Sequence, residues 1–251
     1  MIQAFYSAAS GMQGQQRNME VSSNNIANLQ TVGFKKSRAS FSDLTYASLK
    51  APEAGKVGVQ LGSGSKVDSI NRNFIQGTLY STDNPMDLAI EGKGFFVVDN
   101  GSGEHYYTRD GNFKTSIEPQ GAYMVSARGD YLLDTDGNRI QLPLQSESIE
   151  IDSTGLIQGS GMSNIRIGLV NFQNPEGLEA VGGNLYRQTP ASDAPGQEGT
   201  GSIRQHYLES SNVDLLDEIT ALMRTQRIFQ LNSKVVQTAD EMEGTANNLR
   251  T

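Results

Sequence analysis

The sequence predicts an α+β chain: two long terminal helices pair as a coiled-coil-like core and enclose a mid-chain antiparallel all-β insertion, joined through a β-rich linker region. Three observations carry that expectation. Residues Met1 to Leu29 and Val213 to Leu249 contain no proline and repeat apolar residues at helical intervals. The chain between them breaks into short β-type runs, spaced about ten residues apart and punctuated by glycine turns. The first end is also almost uncharged, with only Arg17 and Glu20 between Met1 and Phe34.

In the N-terminal segment Phe5, Met12, Met19 and Ile26 recur at an interval of seven, and Ala8 and Ala9 fill the same face. At a rise of roughly 1.5 Å per residue this helix is about 40 Å long. Its remaining surface is mostly Gln, Ser, Asn, Gly and Ala. Such a helix suits surroundings of other protein, because neutral amides can satisfy one another without the desolvation cost of charges. Asn24, Asn25 and Asn28 stand near its end although asparagine is a poor helix-interior residue. Gly33 then lets the backbone turn ahead of Phe34.

The C-terminal helix is expected to start with Ser211 or Asn212 as cap and Asp214 in the first turn. Leu216, Ile219 and Met223 hand over to Ile228, Leu231, Val235, Met242 and Leu249, along a helix of about 55 Å. Gln16, Ser23, Gln226 and Ser233 dilute the two seams, so an isolated pair is expected to be marginal and to fold fully on assembly. The apolar positions of both helices, with Asn24, Asn25, Asn28, Gly33 and Phe34, form the candidate assembly interface.

Between the helices GFFVVD (Gly94 to Asp99), HYYTRDGNF (His105 to Phe113), AYMVSARGDYLL (Ala122 to Leu133) and IRIGLVNF (Ile165 to Phe172) read as strands. NGSG (Asn100 to Gly103) and the DGN triplets at Asp110 and Asp136 read as turns. The Gly, Pro and Ser-rich stretches at 51–66 and 189–202 read as loops. The expected organisation is a discontinuous helical domain of residues 1–34 and 205–251, a linking region of 35–80 and 185–204, and an outer β domain of 81–184.

The formal charge of −8 and pI near 4.8 argue against a broad grip on nucleic acid or anionic lipid. The absence of cysteine excludes thiol chemistry and zinc fingers, and two histidines, His105 and His206, leave little for a metal site. DTDGN (Asp134 to Asn138) alternates acidic residues, but its Gly137 stands fourth rather than sixth, so it reads as a turn and not a calcium loop. GKG (Gly92 to Gly94) lacks the spacing of a phosphate loop, and Asp83 with Asp87 reads as a solvated loop. KKSR (Lys35 to Arg38) reads as a short solvated run past a helix end. No catalytic set, metal or cofactor is therefore expected. No basic, apolar leader and no bilayer-spanning run are present in the sequence either. An enzyme and a stand-alone interaction module remain open as alternatives to an assembly protein.

SSNNIANLQTVGFKKSRASFSDL (Ser22 to Leu44) resembles the N-terminal signature of the flagellar rod and hook proteins, through Asn24, Asn25, Ile26, Ala27, Asn28, Thr31, Gly33 and Phe34. YLESSNVDLLDEITALMRTQRIFQLNSKVVQTADEM (Tyr207 to Met242) is similar to the closing helix of the same family, and NPMDLAIEGKGFFVV with YYTRDGNF to its central segment. The resemblance implies an inner layer made by both terminal helices and an outward β domain. It also implies uncleaved export through the flagellar type III apparatus and helical polymerisation with copies of itself and other rod and hook subunits, inside surrounding ring proteins. The length suits a rod rather than a hook subunit. Met1 to Lys36 and Asn232-Ser233-Lys234 look most like the distal rod member, whereas EMEGTANNL (Glu241 to Leu249) is similar to the proximal one. The family's export element has Thr45 where a large apolar residue should follow Phe41.

Overall fold

The computed structural model describes residues 2–50, 59–101, 103–119, 121–143, 149–158, 165–196 and 201–248. These fall into two compact units, one of residues 1–27, 37–72 and 214–251, the other of 28–36 and 73–213.

In the first unit α1 (Ile2–Ala27) is followed by β1 (Ser37–Asp43), β2 (Tyr46–Lys50), β3 (Val59–Gly62) and β4 (Ser65–Arg72), and α2 (Leu215–Asn248) closes it. β1 pairs antiparallel with β4, and β2 with β3. The cap of α2 is Asp214, whose carboxylate accepts the backbone N–H groups of Leu216 at 2.8 Å and Asp217 at 3.2 Å. Ser211 and Asn212 lie too far upstream to take that role.

The α+β class stands, but the expected coiled-coil core of two long paired helices does not. α1 has two partners rather than one. Asn18 donates to the Thr225 hydroxyl at 3.1 Å, and Gly11 abuts the Asn232 side chain on α2. Elsewhere Gly14 abuts the Phe41 ring of β1, and Ser7 and Ser10 meet Gly64. The covered positions of α2 are Glu218, Ala221, Leu222, Thr225, Phe229, Asn232, Ser233, Val236 and Ala239, a stripe that recurs every three to four residues. The stripe has heptad character, but four of the nine are polar, too many for an apolar seam. The strongly apolar residues chosen from the sequence sit on other faces: Leu216 is 77% exposed and Leu231 63%. Hydrophobic periodicity located a helix correctly and assigned its inner face wrongly, because small and polar residues make the close contacts. Most of the buried apolar core lies in the β unit instead.

The second unit comprises β5 (Leu79–Ser81), β6 (Leu88–Glu91), β7 (Phe95–Asp99), β8 (His105–Thr108), β9 (Phe113–Glu118), β10 (Gly121–Ser126), β11 (Tyr131–Leu132), β12 (Gln141–Leu142), β13 (Glu150–Ile151), β14 (Leu156–Gln158), β15 (Ile165–Arg166), β16 (Leu169–Val170), β17 (Glu179–Gly182), β18 (Leu185–Arg187), β19 (Ser202–Gln205) and β20 (Tyr207–Glu209). A nine-stranded antiparallel sheet runs β12-β10-β11-β7-β8-β18-β17, with β9 beside β10 and β16 beside β7. Smaller pairings join β19 to β6, β20 to β5, and β13, β14 and β15 to one another.

The alternation of β7 explains how this sheet is covered on both faces. Phe96 and Val98 enter one core with Phe113, Met124, Leu132 and Ile167. Phe95 enters a second with Tyr107, Phe172 and Tyr186. The rings meet edge to face, Phe96 on Phe113 at 5.3 Å and Phe95 on Phe172 at 5.8 Å, a geometry that adds about 0.5–1.5 kcal/mol per pair beyond area burial.

Three expected strands divide, HYYTRDGNF between β8 and the start of β9. AYMVSARGDYLL becomes β10 and β11 around a turn at Ser126 to Asp130, closed by a backbone hydrogen bond from Ser126 N–H to Asp130 O at 2.8 Å. IRIGLVNF becomes β15 and β16 in different sheets, separated at Gly168, where an added Cβ would lie 2.6 Å from the Asp134 carbonyl oxygen. DTDGN is a turn: Asp134 Oδ1 accepts the N–H groups of Asp136 and Asn138, each at 2.8 Å. The carboxylate is engaged with its own backbone.

Candidate assembly interface

Within the β unit, the chain that leaves α1 and the chain that leads into α2 are stitched together by a buried charge cluster. Lys35, read from the sequence as solvated, has no exposed surface, and Glu209 and Arg109 are nearly as enclosed. The Lys35 ammonium donates to Glu209 Oε1 at 2.5 Å and to the Ile75 carbonyl at 2.8 Å. The Arg109 guanidinium donates to Glu209 Oε2 at 3.2 Å and to the Gly92 carbonyl at 2.8 Å. Gly77 N–H completes the carboxylate's partners at 2.7 Å. Burial pulls the Lys35 pKa below its ordinary value, opposed by the adjacent Glu209 charge. Burial lowers Arg109 in the same way, again against Glu209; its guanidinium nevertheless stays charged.

The backbone reinforces this cluster. Gly33 donates to the Glu209 carbonyl at 2.8 Å. Its φ of +67° and a notional Cβ 2.6 Å from the Arg109 carbonyl carbon both demand glycine. Asn212 spans three segments, accepting Lys36 N–H at 2.8 Å and donating to the carbonyls of Asn73 at 2.8 Å and Ile75 at 3.0 Å. No sequence pattern announces this: a charge becomes a core residue only when chain segments more than a hundred residues apart supply its partners.

The candidate assembly residues separate into two sets. Asn25 is buried in the first unit, donating through Nδ2 to the Ser37 carbonyl and accepting Ser37 N–H, both at 2.9 Å. Asn28 accepts the Thr31 hydroxyl at 3.2 Å, and Gly33 and Phe34 are buried in the second unit. Met12, Met19 and Ile26 are half-buried. By contrast Phe5, Asn24, Leu216, Ile219, Met223, Ile228, Leu231, Val235 and Met242 are exposed, as is Tyr6. Leu249 lies outside the described residues. No group of three or more His, Cys, Asp or Glu suited to a metal occurs among the described residues, and no described helix is long and apolar enough to cross a membrane.

Uncovered apolar helix faces beside a well-packed β unit define a class of protein built to associate. Comparisons with known proteins make the class specific. Residues 5–35 match the flagella basal body rod protein model, residues 89–159 the flagellar hook protein FlgE/F/G D1 domain, and residues 204–249 the flagellar basal body rod FlgEFG protein C-terminal model. The flagellar basal-body rod protein FlgG of Caulobacter vibrioides is 44% identical over 99% of this chain and all of that one. FlgG of Bacillus subtilis is 38% identical over 96% of this chain and 97% of that one, and FlgG of Borreliella burgdorferi 38% over 100% and 99%. The chain belongs to the flagellar basal-body rod protein family. It is a structural component of the basal body, not an enzyme, and its family polymerises with itself and other axial components. Each of the three matched segments contributes one charge to the buried cluster: Lys35, Arg109 and Glu209.

Proposed function

We propose that the chain occupies the distal rod as a subunit stacked head to tail on copies of itself, transmitting torque from motor to hook. Its helical ends (1–34 and 205–251) form the inner layer, residues 35–80 and 185–204 the linking layer, and residues 81–184 the outward one, where ring proteins surround it. The subunit arrives uncleaved through the flagellar export apparatus and meets rod and hook subunits at its axial ends.

The observation that supports this reading is the uncovered apolar surface of the helical unit. Leu216, Ile219 and Met223 on one part of α2, and Ile228, Leu231, Val235 and Met242 on another, are exposed together with Phe5 on α1. A heterologous contact whose rotation does not close yields an open filament, and these stripes provide two separate faces for it. Asn24 adds an exposed amide, whereas Asn25, Gly33 and Phe34 act by shaping the chain behind that surface.

Electron microscopy of basal bodies purified from cells carrying Leu231→Asp tests the reading. The variant is expected to keep its β unit folded and to be absent from rods, which stop short. Full-length rods containing the variant at wild-type amounts would refute the proposed helical contacts. Full-length rods in cells lacking the chain altogether would refute the rod assignment.

A further inference from the structure

We propose that the β unit binds a small carboxylate with an apolar body, in a cavity walled by Phe74, Phe95 and Phe172 and bordered by the Arg109 guanidinium. The proposal concerns the second unit alone and stands apart from the polymer reading.

The cavity, about 440 Å³, is lined entirely by residues of the second unit, and its size falls within the roughly 300–1,000 Å³ of ordinary small-ligand sites. Its walls are rings that hold one another in place: Phe74 meets Phe95 edge to face at 5.4 Å, and Phe95 meets Phe172 at 5.8 Å. Ile75, 67% exposed, adds an aliphatic wall. Such a lining suits an aromatic body.

The charge behind these walls selects an anion. The buried cluster sets two cations against one carboxylate, and among the described residues Glu209 is the one acid within ion-pair distance of Lys35 or Arg109. The surplus positive charge lies beside the cavity, because Arg109 lines it and Lys35 donates at 2.8 Å to the carbonyl of Ile75, another lining residue. Arg109 Nε is buried without an acceptor among the described residues, although Nη1 and Nη2 have theirs. The other charges of the lining, Lys93 and Glu176, are both exposed and of opposite sign. Solvent screens that outer pair, whereas the buried cations are screened much less. A buried ion is costly until a counter-charge reaches it. A carboxylate held against the rings supplies one, and a neutral ligand of the same shape does not.

The test is a titration of the purified full chain with 3-phenylpropionate, followed by ligand-observed NMR beside the uncharged 3-phenylpropionamide. The carboxylate is expected to bind at least tenfold more tightly than the amide. Ile75→Asp, at an exposed side chain, is expected to weaken the carboxylate at least tenfold. Lys35→Met, which does not line the cavity but removes the surplus charge, should weaken the carboxylate at least threefold and leave the amide within twofold. If Lys35→Met has lost its β-unit transition in calorimetry, the exposed Lys93→Gln replaces it with the same expectation. Equal affinity for acid and amide, no binding of the acid up to its solubility, or binding undiminished by Ile75→Asp overturns the proposal. So does a carboxylate affinity that ignores the loss of the cation. Binding to the free chain but none of a radiolabelled probe to basal bodies that contain it overturns a soluble ligand in favour of a neighbouring subunit's side-chain carboxylate. Every one of these results leaves the rod assignment intact.

Discussion

Replacing Glu209 by alanine is expected to be among the most damaging single changes in the β unit. The carboxylate is the sole anion between two buried cations and also accepts Gly77 N–H. Its loss leaves Lys35 with the Ile75 carbonyl, Arg109 with the Gly92 carbonyl, and the Gly77 N–H without its acceptor. Removing one partner of a buried ion pair costs about 3–5 kcal/mol, because an uncompensated charge stays in the interior. At about 2–4 °C per kcal/mol for a chain of this size, the β-unit transition in calorimetry should fall by about 6–20 °C. Lys35→Met is the informative contrast. It removes the surplus positive charge and leaves the Arg109 and Glu209 pair neutral overall, so its cost should be clearly smaller. If Glu209→Ala shifted the transition by less than about 2 °C, or if Lys35→Met proved the worse of the two, the cluster would not hold the two chain segments together electrostatically.

Three further changes separate the remaining contributions. Gly33→Ala should destabilise the β unit by about 1–3 kcal/mol from its left-handed backbone alone, with the clash against the Arg109 backbone added; urea unfolding reads the sum. Asn25→Ala removes both hydrogen bonds to Ser37 and should cost the helical unit about 1–3 kcal/mol, although alanine raises the helicity of an isolated α1 peptide, a contrast visible by circular dichroism. Burial, aided by the Asp87 charge, raises the Asp110 pKa above its ordinary value of 3.8, against a hydrogen bond from Asn112 N–H that lowers it. The folded state thus binds its proton more tightly, so stability falls as pH rises through the folded pKa. Asp110→Asn should accordingly raise the melting temperature at pH 7, and the gain should vanish below about pH 3.8.

The α+β class, the two terminal helices and the turn at Asp134 were legible in the sequence, since each rests on local preference: absence of proline, helical periodicity, and side chains that bond their own backbone. The face of α2 was not. Apolar periodicity marked Leu216, Ile219 and Leu231, yet the helix turns Glu218, Thr225 and Asn232 toward cover, because close contact with Gly11 and Asn18 favours small and hydrogen-bonding groups over bulk. Asn25 likewise looked like an amide offered outward until Ser37 was seen to use both of its ends.

What the sequence determined by itself is the kind of molecule: proline-free ends that wind as helices, glycine-punctuated strands between them, and no cysteine or catalytic set to suggest chemistry. What only the tertiary structure decided is where the charges go. Lys35, Arg109 and Glu209 are 74 and 100 residues apart along the chain, and each alone would be a surface residue. Burying an ion is prohibitive until its counter-ion and hydrogen-bond partners arrive together, and that condition is met by the fold, not by any stretch of sequence.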